Sequence, residues 1–250
     1  PGHTGFEALG KILSGEVNPS GRTTDTFIYD MTTAPWWNNR EATHYSNMED
    51  MAVEGMNSGM AQTYYPSFTN YVEGIYVGYK YYETASDEGF INYDDIVQYP
   101  FGYGLSYTTF TQKMSNLTVG GGNISFDVTV TNTGDVAGKD VVEVYYNPPY
   151  TNGGIEKATA NLIAFEKTEM LEPGASETVT ISFNAEDMAS YDYQNAQAYV
   201  LEAGDYEISI NSDSHNVIDS QTYTVDETIT YSGENTRSTD QAEVTNQFDA

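Results

Sequence analysis

Apolar and polar side chains alternate without a break in the stretch Ile124-Ser-Phe-Asp-Val-Thr-Val130. Side chains on a β-strand point alternately to its two faces, so this pattern predicts a strand with one buried and one solvated face. The residues that follow, Asn132-Thr-Gly134-Asp135, are typical of a turn. This part of the chain therefore reads as β-sheet.

Similar short runs continue on the C-terminal side. Tyr199–Leu201 and Tyr206–Ile210 flank an Ala-Gly-Asp turn, which predicts a hairpin. About seven short strands separated by turns are typical of an immunoglobulin-like β-sandwich. The other predicted strands after residue 130 are 141–146, 162–167 and 178–183.

The N-terminal part has a different sequence pattern. Helical spacing of Phe6, Leu9, Ile12 and Leu13 predicts an amphipathic helix over residues 4–14. Residues 32–70 have no clean period, which indicates a long loop with a short helix near 48–56. The run Tyr79–Tyr82 predicts a β-strand that contributes to the core. The predicted fold class is an α+β region with long loops followed by an all-β region.

The chain has 250 residues, with 9 Lys and Arg against 37 Asp and Glu, for a net charge of -28. Such a negative field repels phosphate groups, so we expect no nucleic-acid partner. No apolar run approaches the roughly 18 residues of a membrane span, so we expect no insertion into a membrane. A hydrophobic content of 39% with 14% aromatic residues predicts a folded protein. The composition favours an extracellular or cell-surface location and leaves a cytoplasmic one open.

No motif for a cofactor or a metal is complete, and we expect neither. There is no Cys to bind zinc or act as a nucleophile. The histidines His3, His44 and His215 are isolated in the sequence, which supports neither a zinc site nor a Ser-His-Asp arrangement. A glycosidase needs two carboxylates, but spacing alone cannot select a pair among 37 acidic residues.

Several long stretches resemble glycoside hydrolase family 3. Residues 12–27, with Asn18-Pro19-Ser20-Gly21-Arg22, are similar to the segment that closes the family's α/β-sandwich domain. Residues 71–82 and 99–110 are similar to later parts of that domain. Residues 128–139 and 165–174 resemble the fibronectin type III-like domain that follows in many of the family's β-glucosidases and β-xylosidases.

The resemblance implies three regions. Residues 1–112 would be the C-terminal portion of the α/β-sandwich domain, 113–226 the fibronectin type III-like β-sandwich, and 227–250 a linker toward a (β/α)₈ barrel. Residues 231–238 and 245–249 resemble the junction in family members whose domain order is inverted. We therefore expect the chain to be the middle of a longer enzyme.

The family hydrolyses terminal β-linked sugars with retention, using an Asp nucleophile on the barrel and an acid/base upstream of the Asn-Pro-Ser-Gly segment. Neither motif is present, and Glu73 lies in a matching motif at a position that is not the family's catalytic acid. We expect the chain alone to be inactive and to support the active site of its parent β-glycosidase. The alternative is a stand-alone structural or protein-interaction module, whose exposed face a partner chain would cover.

Two groups of residues are candidates for a role in the site. Trp36 and Trp37 either contact the aglycone side of the sugar or pack beneath their loop or against the barrel, with Asn38, Tyr64 and Tyr65 as weaker candidates for the sugar contact. Arg22 either binds a carboxylate or carbonyl groups within a structural turn or lies near the sugar. The structural motif residues are Asn18, Pro19, Gly21, Arg22, Glu73, Gly78, Tyr79, Phe101, Gly102 and Gly104.

Overall fold

The computed structural model describes residues 2–40 and 43–240, so the predicted junction residues 245–249 lie outside the described residues. The helices are α1 (Gly2–Leu13), α2 (Tyr79–Asp87) and α3 (Tyr93–Ile96), with 3₁₀ turns at Met31–Thr33, Trp37–Asn39, Met48–Met51 and Ala185–Met188. The strands are β1 (Phe27–Ile28), β2 (Thr43–His44), β3 (Val53–Asn57), β4 (Met60–Tyr64), β5 (Ser67–Phe68), β6 (Val97–Tyr99), β7 (Phe110–Met114), β8 (Thr118–Gly120), β9 (Asn123–Asn132), β10 (Val141–Asn147), β11 (Asn161–Lys167), β12 (Ser176–Asn184), β13 (Ser190–Asp192), β14 (Ala198–Leu201), β15 (Gly204–Asn211), β16 (Val217–Val225) and β17 (Ile229–Tyr231).

The C-terminal part is the β-sandwich that the sequence predicts. One sheet has the strand order β11-β10-β15-β16, and the other has the order β12-β9-β7 with β8 also paired to β9. Apolar residues of both sheets form the main core, and Ile124, Val128 and Val130 are fully buried there. Burial of each such side chain contributes roughly 1.5–3 kcal/mol, which explains why the alternation in β9 is so strict.

The predicted hairpin between residues 199–201 and 206–210 is wrong. Strand β14 pairs with β13 and β17 in a separate three-stranded sheet, whereas β15 pairs with β10 and β16. Both edges of β15 are occupied by longer neighbours, so the short β14 has no edge of β15 on which to pair. The Ala-Gly-Asp turn therefore carries the chain from one sheet to another.

The run Tyr79–Tyr82 is helical, contrary to the predicted strand. It opens helix α2, in which Tyr82 and Glu83 are buried and Tyr79 lies on the same face one turn earlier. This spacing of three and four residues is that of a helix, and it overrides the β-propensity of the tyrosines. Tyr82 is a core residue, as expected, and packs with Tyr93 and Val97.

Much of the predicted loop at residues 32–70 is an antiparallel ladder. Strands β2 and β5 pair near its base, and β3 and β4 form a hairpin at its tip. A short helix is present at Met48–Met51, within the predicted range. We call residues 43–68 the β-arm. Both faces of its terminal hairpin are largely exposed, including Met56 at 67% and Met60 at 70%.

Helix α1 begins two residues earlier than predicted and leaves its apolar face uncovered. Phe6 is 72% exposed and Leu13 is 74% exposed. The region predicted as a linker starts with β17, which pairs with β14. Within residues 2–40 and 43–240, no helix is long and apolar enough to cross a membrane.

Candidate functional site

Several residues of the motifs that resemble glycoside hydrolase family 3 lie where the N-terminal part packs on the β-sandwich. The side chain of Asn18 donates to the carbonyl of Ala137 at 3.0 Å and accepts from the amide of Tyr107 at 2.8 Å. Arg22 binds the carboxylate of Asp140 at 2.6 Å, and Asp140 is buried. Arg22 therefore binds a carboxylate of the neighbouring domain, which is the first of the two roles considered for it.

The segment Phe101–Gly104 contacts the same interface. Gly102 has a φ of +83°, and a Cβ atom built there would lie 2.1 Å from Oε2 of Glu143. The carbonyl of Phe101 accepts from the amide of Ser214 at 2.8 Å, and its ring stacks on Tyr79. This segment is a tight glycine turn that joins two domains.

Glu143 is a buried carboxyl in the middle of β10. It is 4% exposed and accepts a hydrogen bond of 2.8 Å from the hydroxyl of Tyr145. Burial raises the pKa of Glu143 to about 7, against the opposing effects of the Tyr145 hydroxyl and the nearby Arg22. The carboxyl therefore changes its charge near neutral pH at the centre of the interface.

A second polar cluster joins helix α2 to the loop between β15 and β16. Buried Glu83 accepts from the hydroxyls of Tyr93 and Ser214, both at 2.7 Å, and pairs with Nδ1 of His215 at 2.8 Å. The His215 ring stacks on Tyr93 with centroids 3.6 Å apart. Hydrogen bonding to Glu83 raises the pKa of His215.

His215 is thus not isolated, contrary to the interpretation of the sequence. Its cluster is nevertheless not a nucleophilic triad, because the Ser214 hydroxyl donates to Glu83 and not to the imidazole. In the described ranges 2–40 and 43–240, no group of three or more His, Cys, Asp or Glu side chains could hold a metal ion.

The tryptophan pair lies in a different environment. Trp36 is 37% exposed and lines a cavity of about 280 Å³ together with Phe27, Gly78 and Tyr82. The Trp37 ring is covered by the Arg40 guanidinium at 3.7 Å. Of the predicted pair, therefore, only Trp36 lines this cavity.

The remaining candidates are distributed around these features. Asn38 is exposed beside Trp37, while Tyr64 and Tyr65 belong to the β-arm and are about equally exposed. The hydroxyl of Tyr79 accepts from the amide of Leu162 at 2.9 Å, so this motif residue also contacts the β-sandwich. Oε2 of Glu73 is buried and has no hydrogen-bond partner among the described residues.

Sequence reasoning missed the acidic residues of the interface. Glu143 stands in the otherwise uncharged run Val141-Val-Glu-Val-Tyr-Tyr146, and a lone charge in a buried strand was a usable signal. Glu83 and His215 are separated by 132 residues, and no local pattern links them. Together these groups form a specific, polar, buried contact between two domains.

The comparisons with known proteins agree with this two-part architecture. Residues 140–214 match the family of fibronectin type III-like domains. A β-glucosidase of Ruminococcus albus is 35% identical over 231 residues, which cover 91% of this chain and 21% of that protein.

Solved structures show the same likeness. β-Glucosidase 3B of Thermotoga neapolitana in complex with glycerol is 33% identical with a TM-score of 0.72, covering 92% of this chain and 28% of that one. A GH3 β-glucosidase of Bifidobacterium adolescentis is 27% identical with a TM-score of 0.70, covering 90% of this chain and 28% of that one.

These matches first define a class: an α+β region joined to a fibronectin type III-like β-sandwich. The chain belongs to glycoside hydrolase family 3 and corresponds to the region of these β-glucosidases that contains the fibronectin type III-like domain. It spans only 21% and 28% of the length of the first relatives named above.

Proposed function

We propose that this chain is the non-catalytic part of a retaining, exo-acting β-glycosidase of the β-glucosidase or β-xylosidase kind, acting on terminal β-linked sugars. The observation that carries the proposal is the 35% identity to a β-glucosidase over 91% of the chain. In this function the chain positions the domain interface and supports an active site whose nucleophile and acid/base lie elsewhere in the protein.

The uncovered apolar face of α1 supports this proposal. Phe6, Leu9 and Leu13 are costly to leave in water, and a barrel domain packed on them would bury that surface. Near Phe101, Leu105 is 68% exposed and Tyr107 is 49% exposed, and a packed barrel domain would bury this apolar surface as well. We further propose that Trp36 contacts the aglycone side of the substrate through its cavity.

The proposal is tested by comparing two polypeptides. Purified residues 1–250 should give no turnover of aryl β-glucosides or β-xylosides, and the complete polypeptide should release the sugar as its β-anomer, seen by proton NMR within the first minutes. Mutation-sensitive turnover by residues 1–250 alone, or initial release of the α-anomer by the complete protein, contradicts the proposal.

The stand-alone module makes a different prediction about α1. In that case the protein isolated from its source has the mass of this chain alone, and a partner or a second copy covers Phe6 and Leu13. Intact mass of the denatured protein distinguishes the two functions, because a β-glycosidase of this family requires a far larger polypeptide.

A further inference from the structure

A cleft of about 650 Å³ lies between helix α2 and the loop that joins β10 to β11. One wall belongs to the N-terminal part and contains Tyr76, Tyr81 and Phe90, and the other belongs to the β-sandwich and contains Tyr150 and Glu156. Its volume is typical of sites that bind small molecules. The cleft is not lined by the residues of the interface clusters, which include Arg22, Glu143 and His215.

Two of the aromatic rings that line the cleft are exposed. Phe90 is 80% exposed and Tyr150 is 41% exposed, on opposite walls. Aromatic faces left in water favour a ligand that covers them with C–H groups, and the faces of sugar rings provide such groups. The pair of rings therefore indicates a ligand that is at least partly apolar on its faces.

The polar groups of the cleft select the rest of the ligand's chemistry. Among the described residues, the carboxylates of Asp87 and Glu88 receive no hydrogen bond, and Glu156 accepts only from Tyr76, at 2.5 Å. Carboxylates accept hydrogen bonds, so their natural ligand partners are hydroxyl groups.

The cleft also disfavours an anionic ligand. Its lysine, Lys157, is 3% exposed, and its ammonium group already contacts the carbonyl of Pro149 and the carboxylate of Glu202, each at 2.5 Å. Three carboxylates without an available cation repel phosphate and uronate groups. The groups of the cleft therefore fit a ligand that carries no negative charge and is rich in hydroxyl groups.

The two walls are fixed relative to each other. The Tyr76 hydroxyl bonds to Glu156 across the cleft, and the amide of Thr159 donates to the Thr84 hydroxyl at 3.1 Å at its floor. A site held open in this way loses little conformational freedom when a ligand enters.

We propose that this cleft binds a neutral saccharide chain, with Phe90 and Tyr150 as stacking platforms and Asp87, Glu88 and Glu156 as acceptors for sugar hydroxyls. The proposal goes beyond the function proposed above, because such a site acts by binding a saccharide and not by cleaving it.

Affinity electrophoresis of residues 1–250 in native gels that contain mixed-linkage β-glucan tests this proposal. We expect the chain to be retarded by the glucan and the double variant Phe90→Ala/Tyr150→Ala to lose at least tenfold in apparent affinity. The control Tyr193→Ala removes a 63% exposed ring outside the cleft and should migrate like the native chain. Gels with polygalacturonate, which is anionic, should not retard any of them.

Circular dichroism establishes that each variant is folded, and Asp87→Asn/Glu88→Gln provides a second test at exposed positions, where we expect a weaker loss. The proposal is overturned if glucan does not retard the native chain, or if it retards both double variants as strongly as the native chain. It is also overturned if choline, a quaternary ammonium cation, binds the cleft in place of glucan. Binding is measured without turnover, so failure here leaves the proposed hydrolase function untouched.

Discussion

Gly102 is the residue at which backbone geometry and domain packing are most tightly coupled. Its φ is +83°, and its missing Cβ leaves room for Oε2 of Glu143. Gly153 has the same φ of +83° but nothing within 4 Å of a built Cβ. The two glycines therefore separate the cost of the backbone conformation from the cost of the collision.

We expect Gly102→Ala to lower the free energy of unfolding by about 3–4 kcal/mol, and Gly153→Ala to lower it by about 1 kcal/mol. The excess at Gly102 arises because Glu143 is buried and cannot move into water. Urea unfolding of both variants measures the difference. Equal decreases in the free energy of unfolding at the two positions would show that the contact with Glu143 does not contribute to the cost of Gly102→Ala.

Glu143 itself predicts a dependence of stability on pH. Its pKa is about 7 in the folded state against 4.5 as the ordinary value, so the folded form binds the proton more tightly. This group therefore destabilises the fold as pH rises from about 4.5 to 7, by on the order of 3 kcal/mol in total. Below pH 4.5 it has no such effect.

Glu143→Gln should flatten this part of the stability profile and raise the free energy of unfolding at pH 8, since the amide still accepts from Tyr145. Urea unfolding at pH 5 and pH 8 measures both effects. A variant with the same slope as the native chain would contradict the assignment of this pH dependence to Glu143.

At the scale of elements, the Glu83 cluster connects helix α2 to the β15–β16 loop. The pKa of His215 is raised by its hydrogen bond to Glu83, so its contribution to stability is complete below pH 6.5 and is lost as pH rises through the raised pKa. Asp213 and Asp94 add to the same effect, while partial burial opposes it.

Glu83→Gln should lower the pKa of His215, because the amide cannot stabilise the imidazolium as a carboxylate does. The chain has three histidines, so proton NMR titration can follow the ring of His215 directly. Asp135→Asn, a change outside this cluster, serves as the control and should leave that pKa where it is. An unchanged His215 pKa in Glu83→Gln would refute the pairing.

The elements also show what sequence alone can predict. The alternation in β9 runs from Ile124 to Val130, long enough to specify both the strand and its buried face. Tyr79–Tyr82 is too short to distinguish a strand from a helix, and only the burial of Glu83 and Ala85 beyond it reveals the helical period. A run must exceed one helical turn before its period becomes informative.

Long-range partners set a second limit. The sequence leaves two roles open for Arg22, and nothing local identifies its partner Asp140, which lies 118 residues away. The family resemblance identifies the segments that meet at the interface, but the buried partners of Gly102 and His215 depend on tertiary packing. Local sequence pattern therefore predicts the secondary-structure elements and the types of hydrogen-bond donor, but not which distant residues pair with each other.

At the scale of the whole molecule, charge repulsion is the dominant electrostatic feature. A net charge of -28 on 250 residues destabilises the compact state. Raising NaCl from 0.01 M to 0.1 M shortens the Debye length from about 30 Å to about 10 Å. We expect this change to raise the free energy of unfolding by about 1 kcal/mol or more, measured by urea unfolding at pH 7.

The control for this prediction is the same experiment near pH 4, where protonated carboxylates remove most of the net charge. The salt effect should become small there. A decrease in stability with salt at pH 7 would mean that favourable ion pairs outweigh the repulsion.

The pairing of β17 with β14 has a practical consequence for anyone who produces this β-sandwich by itself. A recombinant chain ending at residue 226, where the sequence suggests that the domain stops, would lack Ile229–Tyr231 and leave one edge of β14 without a partner. Open strand edges recruit strands from other molecules. Such a product would be prone to aggregate in storage, whereas one extended through Tyr231 would keep that edge closed.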